Sequence, residues 1–462
     1  MNSQAPLASS KIGGPAAPAL RVVPSILEVG EAPNEVLTSV THPVAVFNNN
    51  WSATLSFTVS LGRQGVPLHF YGPGAGGWSR YCTQRSACPP VTDTDTFLPW
   101  LRNRIRSGEI IRVAPTTDLI AYYVSVLRDE FAPEIKRTIP PLSELETCLI
   151  KTRFATACER IGQPVPATFA PESLEEAVAA AQQLGFPLVM KPNSHLLVAL
   201  ERGRIVHDMD ELRAYYRPYT LAPGQSFLAE RYPQLRWPIL QRYIPSARSR
   251  VYSVSGFKDP HTGVIAASVS CKRAQWPPDV GVSTSQISCT SDPVMTTGLD
   301  AVEQLLSSGI FELELLVEGD GLLAIDLNPR AFGFMALDMA LGNDLPWLWY
   351  QSTQHPVRPL EGPAVRPVME ARLVIPHAIA RVVGTLFGLR PEQSFTPSGP
   401  EERHESISML GHWADPVPML MSNLSSLRHP GGLIRPYVAA ARLARRDARR
   451  KTQGASLFGG NG

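Results

Sequence analysis

The sequence predicts two successive modules, an α/β module with a parallel sheet and an α+β module with mostly antiparallel strands. The first prediction rests on residues 43–71, where "PVAVFN", "ATLSFTVSLGRQG" and "VPLHFYG" form a strand–helix–strand pattern. The second rests on residues 145–350, in which alternating strands outnumber the helices. A chain of 462 residues has room for two or three such domains.

The expected division has five parts. We predict a flexible tail over 1–35, the α/β module over 36–142, the α+β module over 143–352, an extension packed on the second module over 353–430, and a basic helix and tail over 431–462. The first 20 residues are rich in Ala, Pro, Ser and Gly and lack the pattern of a secretory signal. The basic helix is either a solvated terminus or a peripheral contact with an anionic membrane.

Composition excludes several classes of function. The net charge of +2 gives no overall case for nucleic-acid binding, and we expect no nucleic-acid partner. The sequence contains no run of 18 apolar residues, so we expect no membrane span. The six cysteines include no pair with zinc-site spacing, so we expect free thiols and a cytoplasmic protein.

Two further helices, "FLPWLRNRIRSGE" and "DLIAYYVSVLRDEF", continue the first module, with a short strand "IIRVAP" between them. The glycines of "YGPGAGGWS" resemble a phosphate loop but lack the strand–GxGxxG–helix order, which favours a mobile loop.

The second module opens with capping-box patterns at Ser143 and Glu146 and again at Ser173 and Glu176. We expect the first of these helices to run toward Ile161 and to be closed by Gly162, and we place Lys151 at the start of a helix. Apolar strands follow at "FPLVMKP", which ends near Lys191, and at "WPILQRYI", "RVYSVSGF" and "GVIAASVSCKR". The helix "GLDAVEQLLSSG" then leads into a hairpin.

The hairpin strands "FELELLV" and "LLAIDLN" flank a turn centred on Asp320. This register places Glu314 opposite Asp326 and Glu312 opposite Asn328, with all four side chains on one face. The other face is expected to carry only apolar side chains, namely Phe311, Leu313, Leu315, Leu323, Ile325 and Leu327.

Carboxylates directly opposite each other on a sheet repel. A divalent cation relieves that repulsion, and a set of oxygen ligands suits Mg²⁺ or Mn²⁺. The alternative is a solvent-facing sheet surface without a ligand. Three acidic groups and an amide on one face favour the metal.

This order of elements resembles the ATP-grasp superfamily over roughly residues 145–350. In that family a first lysine precedes a "G-x-P-x-P" connector, a second ends a "P-L-V-x-K-P" strand, a hinge contacts adenine, and "E-x-N-x-R" follows an acidic residue one strand earlier. The corresponding positions here are Lys151 before "IGQPVPATF", Lys191, the hinge "LQRYI" at 240–244, Glu314, and Asp326, Asn328 and Arg330 in "DLNPR".

The resemblance implies a role for each position. Lys151 and Lys191 would hold ATP phosphates. The hinge residues Gln241, Arg242, Tyr243 and Ile244 would bind adenine, through backbone groups at Arg242 and Ile244. Mg²⁺ (or Mn²⁺) would lie on Glu314, Asp326 and Asn328. The catalytic cations would be Arg330, on the acyl phosphate or its carboxylate precursor, and Lys272 and Arg273, facing the γ-phosphate; for these last two a surface position is the alternative.

The chain also departs from the family pattern. The segment after Lys191 has no glycine before Gly203, whereas the family has a glycine-rich lid there. Asp326 replaces the more usual Glu, and Arg242 stands where Glu or Lys is common. The first module resembles the Rossmann-like pre-ATP-grasp domain, and "WADPVPML" near Asp415 is similar to the tails of carboxylate–amine ligase-like members.

The resemblance implies an ADP-forming ligase that activates a small carboxylate as an acyl phosphate for attack by a small amine. The chief alternative is an ATP- and Mg²⁺-binding regulatory or assembly protein with little or no catalysis, which the missing glycine lid favours. A carboxylase-type member is disfavoured because no "A-M-K-M"-type biotinylation stretch occurs. A homodimer is compatible with the sequence.

Overall fold

The fold is described from a computed structural model at residues 43–47, 51–197, 203–248, 250–276, 281–357, 368–389, 405–409, 415–421, 437–438, 441–442 and 445. The predicted tail over 1–35 lies outside these residues. The predicted basic helix over 431–462 is described only at 437–438, 441–442 and 445, all of them helical. The predicted domain boundaries stay predictions.

The N-terminal part of the chain builds a three-stranded parallel sheet in the order β1-β2-β3, as the strand–helix–strand pattern predicts. The predicted strand "IIRVAP" contributes only a single bridge, between Val113 and Ala45. The elements are β1 (Val44–Phe47), α1 (Trp51–Arg63), β2 (Leu68–Tyr71), β3 (Cys82–Ser86), α2 (Thr94–Arg106), α3 (Asp118–Val126) and α4 (Pro133–Lys136).

A second, four-stranded sheet has the order β4-β7-β5-β6, and its pairings are antiparallel. Ser173 caps the helix α7 by accepting a hydrogen bond from the Glu176 amide at 3.1 Å, as predicted. The elements are α5 (Leu142–Leu149), α6 (Lys151–Arg160), β4 (Thr168–Phe169), α7 (Leu174–Leu184), β5 (Leu188–Pro192), β6 (Arg204–Val206), α8 (Met209–Tyr215), α9 (Ser226–Arg231) and β7 (Pro238–Arg242).

The predicted long helix beginning near Ser143 is in fact two helices, α5 and α6. Ile150 lies between them in an extended conformation, with φ −106° and ψ 108°, and Pro141 rather than a capping box precedes α5. The prediction of a helix that runs from the capping box at Ser143 toward Ile161 is therefore wrong, whereas the prediction that Lys151 begins a helix is confirmed. The break makes Lys151 the first residue of α6, where its side chain can leave the helix toward the large sheet.

The large sheet has seven strands in the order β12-β11-β8-β9-β10-β13-β14, and all its pairings are antiparallel except that of β13 with β14. The elements are β8 (Val251–Asp259), β9 (Gly263–Trp276), β10 (Val282–Cys289), α10 (Asp292–Leu305), β11 (Gly309–Glu318), β12 (Gly321–Asn328), α11 (Met335–Ala340), α12 (Leu345–Ser352), β13 (Met369–Arg372), α13 (Val374–Phe387) and β14 (Glu405–Ser408).

The hairpin of β11 and β12 has the predicted pairing at its polar end but a different turn. Glu314 pairs with Asp326 and Glu312 with Asn328, whereas Glu318 pairs directly with Gly321 across a two-residue turn. A β-bulge at Ile325 reconciles the two registers.

The bulge changes which side chains share a face. Leu315 pairs with Ala324, and Leu316 pairs with Leu323. Because strand faces alternate, Leu323 lies on the carboxylate face, and the prediction that Leu323 and Ile325 pack with Leu313 was wrong. The packing of the side chains agrees with this assignment of faces. Ala324 belongs to the core that contains Leu313 and Leu315, whereas Leu323 and Ile325 belong to a separate cluster.

The core beneath the large sheet is formed by the apolar face of β11 against α6 and α10. Leu313 and Phe311 are fully buried there with Phe154 of α6 and Val302 of α10. Within the described residues, no helix is both long enough and apolar enough to cross a bilayer.

Replacing Leu313 by Ala should lower the free energy of unfolding by about 2–5 kcal/mol, because it leaves a cavity in this core. Urea denaturation measures the change. The control Leu386→Ala removes a side chain that is 73% exposed and should stay within about 0.5 kcal/mol of wild type. Equal losses for the two variants would contradict the described core.

Candidate functional site

Lys151 forms an ion pair with Asp326 across the junction of α6 and the hairpin. Its Nζ donates to both carboxylate oxygens of Asp326, at 2.9 and 2.8 Å. The Lys151 side chain is only 8% exposed. The backbone holds it in place, because the Lys151 amide donates to the carbonyl of Asn193 at 2.8 Å.

A second buried ion pair joins Lys272 of β9 to Glu314 of β11, with 2.8 Å between Nζ and Oε1. Strand β8 lies between these two strands, so the Lys272 side chain extends over it. Lys272 and Glu314 are 10% and 18% exposed. Two cations therefore neutralise two carboxylates on one face of the sheet.

The ionisation of this face follows from its pairing. Burial alone would raise the pKa of Asp326, but the charge and hydrogen bonds of Lys151, together with the charges of Lys191 and His195, lower it to about 2. Burial opposes the charge of Lys272, yet Glu314 raises the pKa of that lysine. Burial and the neighbouring Lys151 lower the pKa of Lys191 to about 8, and the charges of Asp326 and Glu314 oppose this effect without cancelling it.

Glu312 occupies a different environment on the same face. It is buried and accepts hydrogen bonds from Ser253 Oγ and Asn328 Nδ2, each at 2.8 Å. Burial, with the adjacent charge of Glu314, raises the pKa of Glu312 to about 7. A carboxyl group with a raised pKa thus lies on the same face as Asp326, whose pKa is lowered.

Arg330 extends this network toward the N-terminal part of the chain. Its Nη2 donates to Asn328 Oδ1 at 2.9 Å, and its Nε donates to Asp118 Oδ1 at 2.6 Å. Burial opposes ionisation of Asp118, but Arg330 outweighs it and lowers the pKa of the carboxyl group. Asp118 is the first residue of α3, so two distant segments meet at this arginine.

The end of the face near the bulge is apolar. Leu316 and Leu323 cluster there with Val251 and with Ile244, the last hinge residue. The apolar cluster and the paired charges lie along one face of the hairpin, one after the other.

The hinge itself is held by polar contacts. Gln241 Nε2 donates to Thr168 Oγ1 at 2.8 Å, and the Arg242 amide donates to the Ala167 carbonyl at 2.9 Å. The Arg242 guanidinium pairs with Glu318 through two bonds of 2.5 and 2.7 Å.

Known proteins were compared with this chain by sequence and by structure. No protein-family model matches it. A stretch of 192 residues is 24% identical to the carbamoyl phosphate synthase large chain of Rubrobacter xylanophilus, and it covers 39% of this chain but only 16% of that protein.

Solved structures give a wider match. An L-amino acid ligase from Bacillus licheniformis superposes with a TM-score of 0.50 at 14% identity, over 70% of this chain and 76% of that chain. The biotin carboxylase domain of a 2-oxoglutarate carboxylase from Hydrogenobacter thermophilus gives 0.55 at 14% identity, over 71% and 73%. A phosphoribosylglycinamide synthetase from Anaerococcus prevotii gives 0.51 at 11% identity, over 72% and 80%.

The chain has the ATP-grasp fold. Within that fold, the structure brings together most of the residues that the sequence singles out. Lys151, Lys191, Lys272, Glu314, Asp326, Asn328 and Arg330 are linked by hydrogen bonds or by electrostatic contact.

Arg273 is the exception. The pairing of β9 with β10 shifts register at Arg273, and this side chain lies 3.8 Å from Glu370, whereas Lys272 contacts Glu314. Glu370 also accepts from Ser285 and pairs with Arg372. The structure does not place Arg273 beside Lys272, which corrects the expectation that both face one phosphate.

Two residues of this candidate site, Asp118 and His195, were not predicted from the sequence. Asp118 belongs to a helix of the first module, and no local motif connects it to Arg330. His195 is the exposed residue of a turn whose neighbours Leu196 and Leu197 are buried, and the charges of Lys151 and Asp118, among others, act on it. The one feature of the sequence that could have indicated His195 is its position after Lys191, where the ATP-grasp family has a glycine-rich lid.

Glu312 should make stability depend on pH in metal-free buffer. Its folded-state pKa of about 7 lies above the ordinary 4.5, so the folded state binds the proton more tightly than the unfolded state. Stability should therefore be greatest below about pH 4.5 for this group and fall as pH rises toward 7. Glu312→Gln should flatten that fall, measured by urea denaturation from pH 5 to 8.

The control for this experiment is Glu175→Gln, at an exposed position of α7. It should keep the pH dependence of the wild type. If Glu312→Gln also keeps it, the proposed proton is not bound at Glu312.

Proposed function

We propose that this protein is an ATP-dependent, ADP-forming ligase that joins a small carboxylic acid to a small amine. The observation that carries the proposal is the paired charge on one sheet face, with Lys151 on Asp326 and Lys272 on Glu314. The carboxylates of these pairs would attract Mg²⁺, and the lysines would attract the phosphates of a nucleotide. The ATP-grasp fold supports the proposal, as do the ligases among its structural neighbours.

The oxygen donors fit Mg²⁺. Among the described residues, no group of three or more Asp, Glu, His or Cys side chains is arranged to enclose a metal. Mg²⁺ in phosphate-transferring sites is commonly held by one or two carboxylates together with substrate phosphates. Glu314 and Asp326, opposite each other on the hairpin, supply two carboxylates, and Asn328 supplies an amide oxygen. When bound, the metal would neutralise charge on the transferring phosphoryl group.

The apolar cluster around Leu316 and Leu323 fits a purine. It lies beside the hinge, so an adenine ring there would pack on Val251 and Ile244 while its polar edge meets the hinge backbone. The Arg242 amide is already bonded to Ala167, which limits the hinge contacts to the Arg242 carbonyl and the Ile244 amide. The hinge contacts thus still involve Arg242 and Ile244, as predicted, but the Arg242 amide is not one of the donors.

Each of the chain's own residues then has a task. Lys151 and Lys272 would bind phosphate oxygens as the nucleotide releases them from their carboxylate partners, and Lys191 would bind a further phosphate oxygen. A carboxylate oxygen of the acid would attack the γ-phosphorus and ADP would leave. The amine would then attack the acyl carbon, lose a proton, and expel phosphate, with Arg330 binding the acid throughout.

One observation favours the regulatory alternative. The segment after Lys191 has no glycine before Gly203. Its first residues are held in place, because the Asn193 carbonyl accepts a hydrogen bond from the Lys151 amide and because Leu196 and Leu197 are buried. A fixed segment closes over nucleotide less readily than a flexible lid. A protein of that kind would bind Mg·ATP without turnover.

The direct test is Mg²⁺-dependent ADP and phosphate release with pooled amino acids and small carboxylic acids. We expect ADP only when an acid and an amine are both present. Asp326→Asn should lower that rate roughly 100-fold or more, because it removes a carboxylate that would hold the Mg²⁺ needed to neutralise the transferring phosphoryl group. Asp320→Asn, at the exposed hairpin turn, should keep the wild-type rate.

Binding of Mg·ATP without ADP release from any pool would favour the regulatory protein. A rate that does not change in Asp326→Asn would remove Asp326 from the reaction.

The ion pairs also predict that metal and nucleotide compete with them. Mg²⁺ alone should hardly stabilise the wild type, since Asp326 is already paired. Lys151→Met frees that carboxylate, so millimolar Mg²⁺ should raise the melting temperature of this variant more than that of wild type, and EDTA should reverse the rise. Thermal denaturation of each variant with and without Mg²⁺ measures the difference.

Lys136→Met is the matched control, because Lys136 pairs with Asp129 at 2.6 Å on the surface. It should respond to Mg²⁺ as the wild type does. The same response from Lys151→Met and Lys136→Met would contradict the competition.

A further inference from the structure

Arg330 is bonded on nearly all sides. A guanidinium has five N–H donors. Asp118 receives two of them, from Nε at 2.6 Å and from Nη2 at 3.3 Å; Asn328 receives one from Nη2 at 2.9 Å; and the Ala331 carbonyl receives one from Nη1 at 2.8 Å. Among the described residues this leaves one Nη1–H for a further acceptor. Arg330 therefore cannot grip a substrate carboxylate with two bonds without releasing a partner.

Asp118 is well placed to hold its side of this contact. It is the first residue of α3, where the helix dipole favours a negative charge, and the preceding Thr117 caps the helix by accepting from the Ile120 amide. The Asp118 and Arg330 side chains are 12% and 14% exposed, so their attraction is little screened by water.

The backbone fixes the same junction a few residues away. The Ala331 amide donates to the Pro115 carbonyl at 3.0 Å, and Thr116 Oγ1 donates to the carbonyl of Phe47, at the end of β1. The edge of the N-terminal sheet is thus joined to the loop that carries Arg330. The position of the Arg330 loop therefore depends on the N-terminal sheet as well as on the large sheet.

We propose that Asp118 is a positioning residue that fixes the Arg330 guanidinium so that its remaining Nη1–H is presented to the carboxylate of the acid substrate. The inference rests on the proposed ligase function, and it adds that the N-terminal sheet completes the acid-binding site. Asp118 acts through Arg330 and does not itself contact the substrate. Nucleotide binding, which uses Lys151, Lys191 and Lys272, does not depend on it.

The kinetic test separates these two sites. Asp118→Asn keeps the size of the side chain and loses its charge, so KM for the acid should rise about 10-fold or more, as expected for a weakened charged hydrogen bond. KM for ATP should change less than about 2-fold. Asp118→Glu, which keeps the charge but displaces it, should give an intermediate KM for the acid.

The control Asp129→Asn removes an exposed carboxylate that pairs with Lys136, and it should leave both KM values at the wild-type level. An unchanged KM for the acid in Asp118→Asn would overturn the proposal. A lowered KM would also overturn it, since it would mean that Asp118 competes with the substrate for Arg330.

A second measurement does not need turnover. The melting temperatures of Asp118→Asn, Arg330→Met and the double variant form a cycle, and we expect the double variant to melt little below the lower single variant. Additive losses would show that the two side chains do not act as a pair, and would overturn the proposal. If the wild type releases no ADP with any acid and amine, the substrate role falls with the proposed function, while the cycle still decides whether Asp118 positions Arg330.

Discussion

The contact between Lys151 and Asp326 is the constraint on which the site depends. A buried carboxylate without a partner is costly, and so is a buried ammonium group, which is why both are found paired here. The contact requires that a helix begin at residue 151, that the hairpin place residue 326 on the same side, and that Asn193 hold the Lys151 backbone. The extended conformation of Ile150 and the bulge at Ile325 meet the first two requirements.

The bulge gives one hairpin two chemical surfaces. On the side of the strand ends, Glu312, Glu314 and Asp326 face the lysines. Past the bulge, Leu316 and Leu323 share that face and form an apolar cluster with the hinge. A single extra residue thus allows one strand pair to offer both charges and an apolar wall, which are the two chemistries that a nucleotide presents.

The N-terminal sheet contributes more than a scaffold. Its edge reaches the loop that follows β12 through Pro115 and Asp118, and one core contains both its Phe47 and the residues Leu196 and Leu197 that follow the second lysine strand. The segment that takes the place of the family's glycine lid therefore begins inside a core. Packing of that kind limits the motion of this segment, and the charges of Lys151, Asp118 and Asp326 act on His195 within it.

The sequence by itself determined the parallel strand–helix–strand unit, the hairpin and the pairing of Glu314 with Asp326, because period-2 alternation is a local property of the chain. The lysines were identified through the order of motifs that resembles the ATP-grasp superfamily. The sequence did not determine the break at Ile150, since Ser143 and Glu146 satisfy a capping pattern whether or not they cap. It also missed the bulge, which exchanges the faces of Leu323 and Ala324, because a two-residue and a three-residue turn are both compatible with Gly319, Asp320 and Gly321.

Only the tertiary structure decided which charges meet. Lys272 and Arg273 are adjacent in sequence and are both cations, yet Lys272 contacts Glu314, whereas Arg273, at a register shift between β9 and β10, lies near Glu370. Asp118 and Arg330 are 212 residues apart and share no motif. Contacts between distant segments depend on how sheets and helices pack, and a pattern over a few neighbouring residues carries no information about that packing.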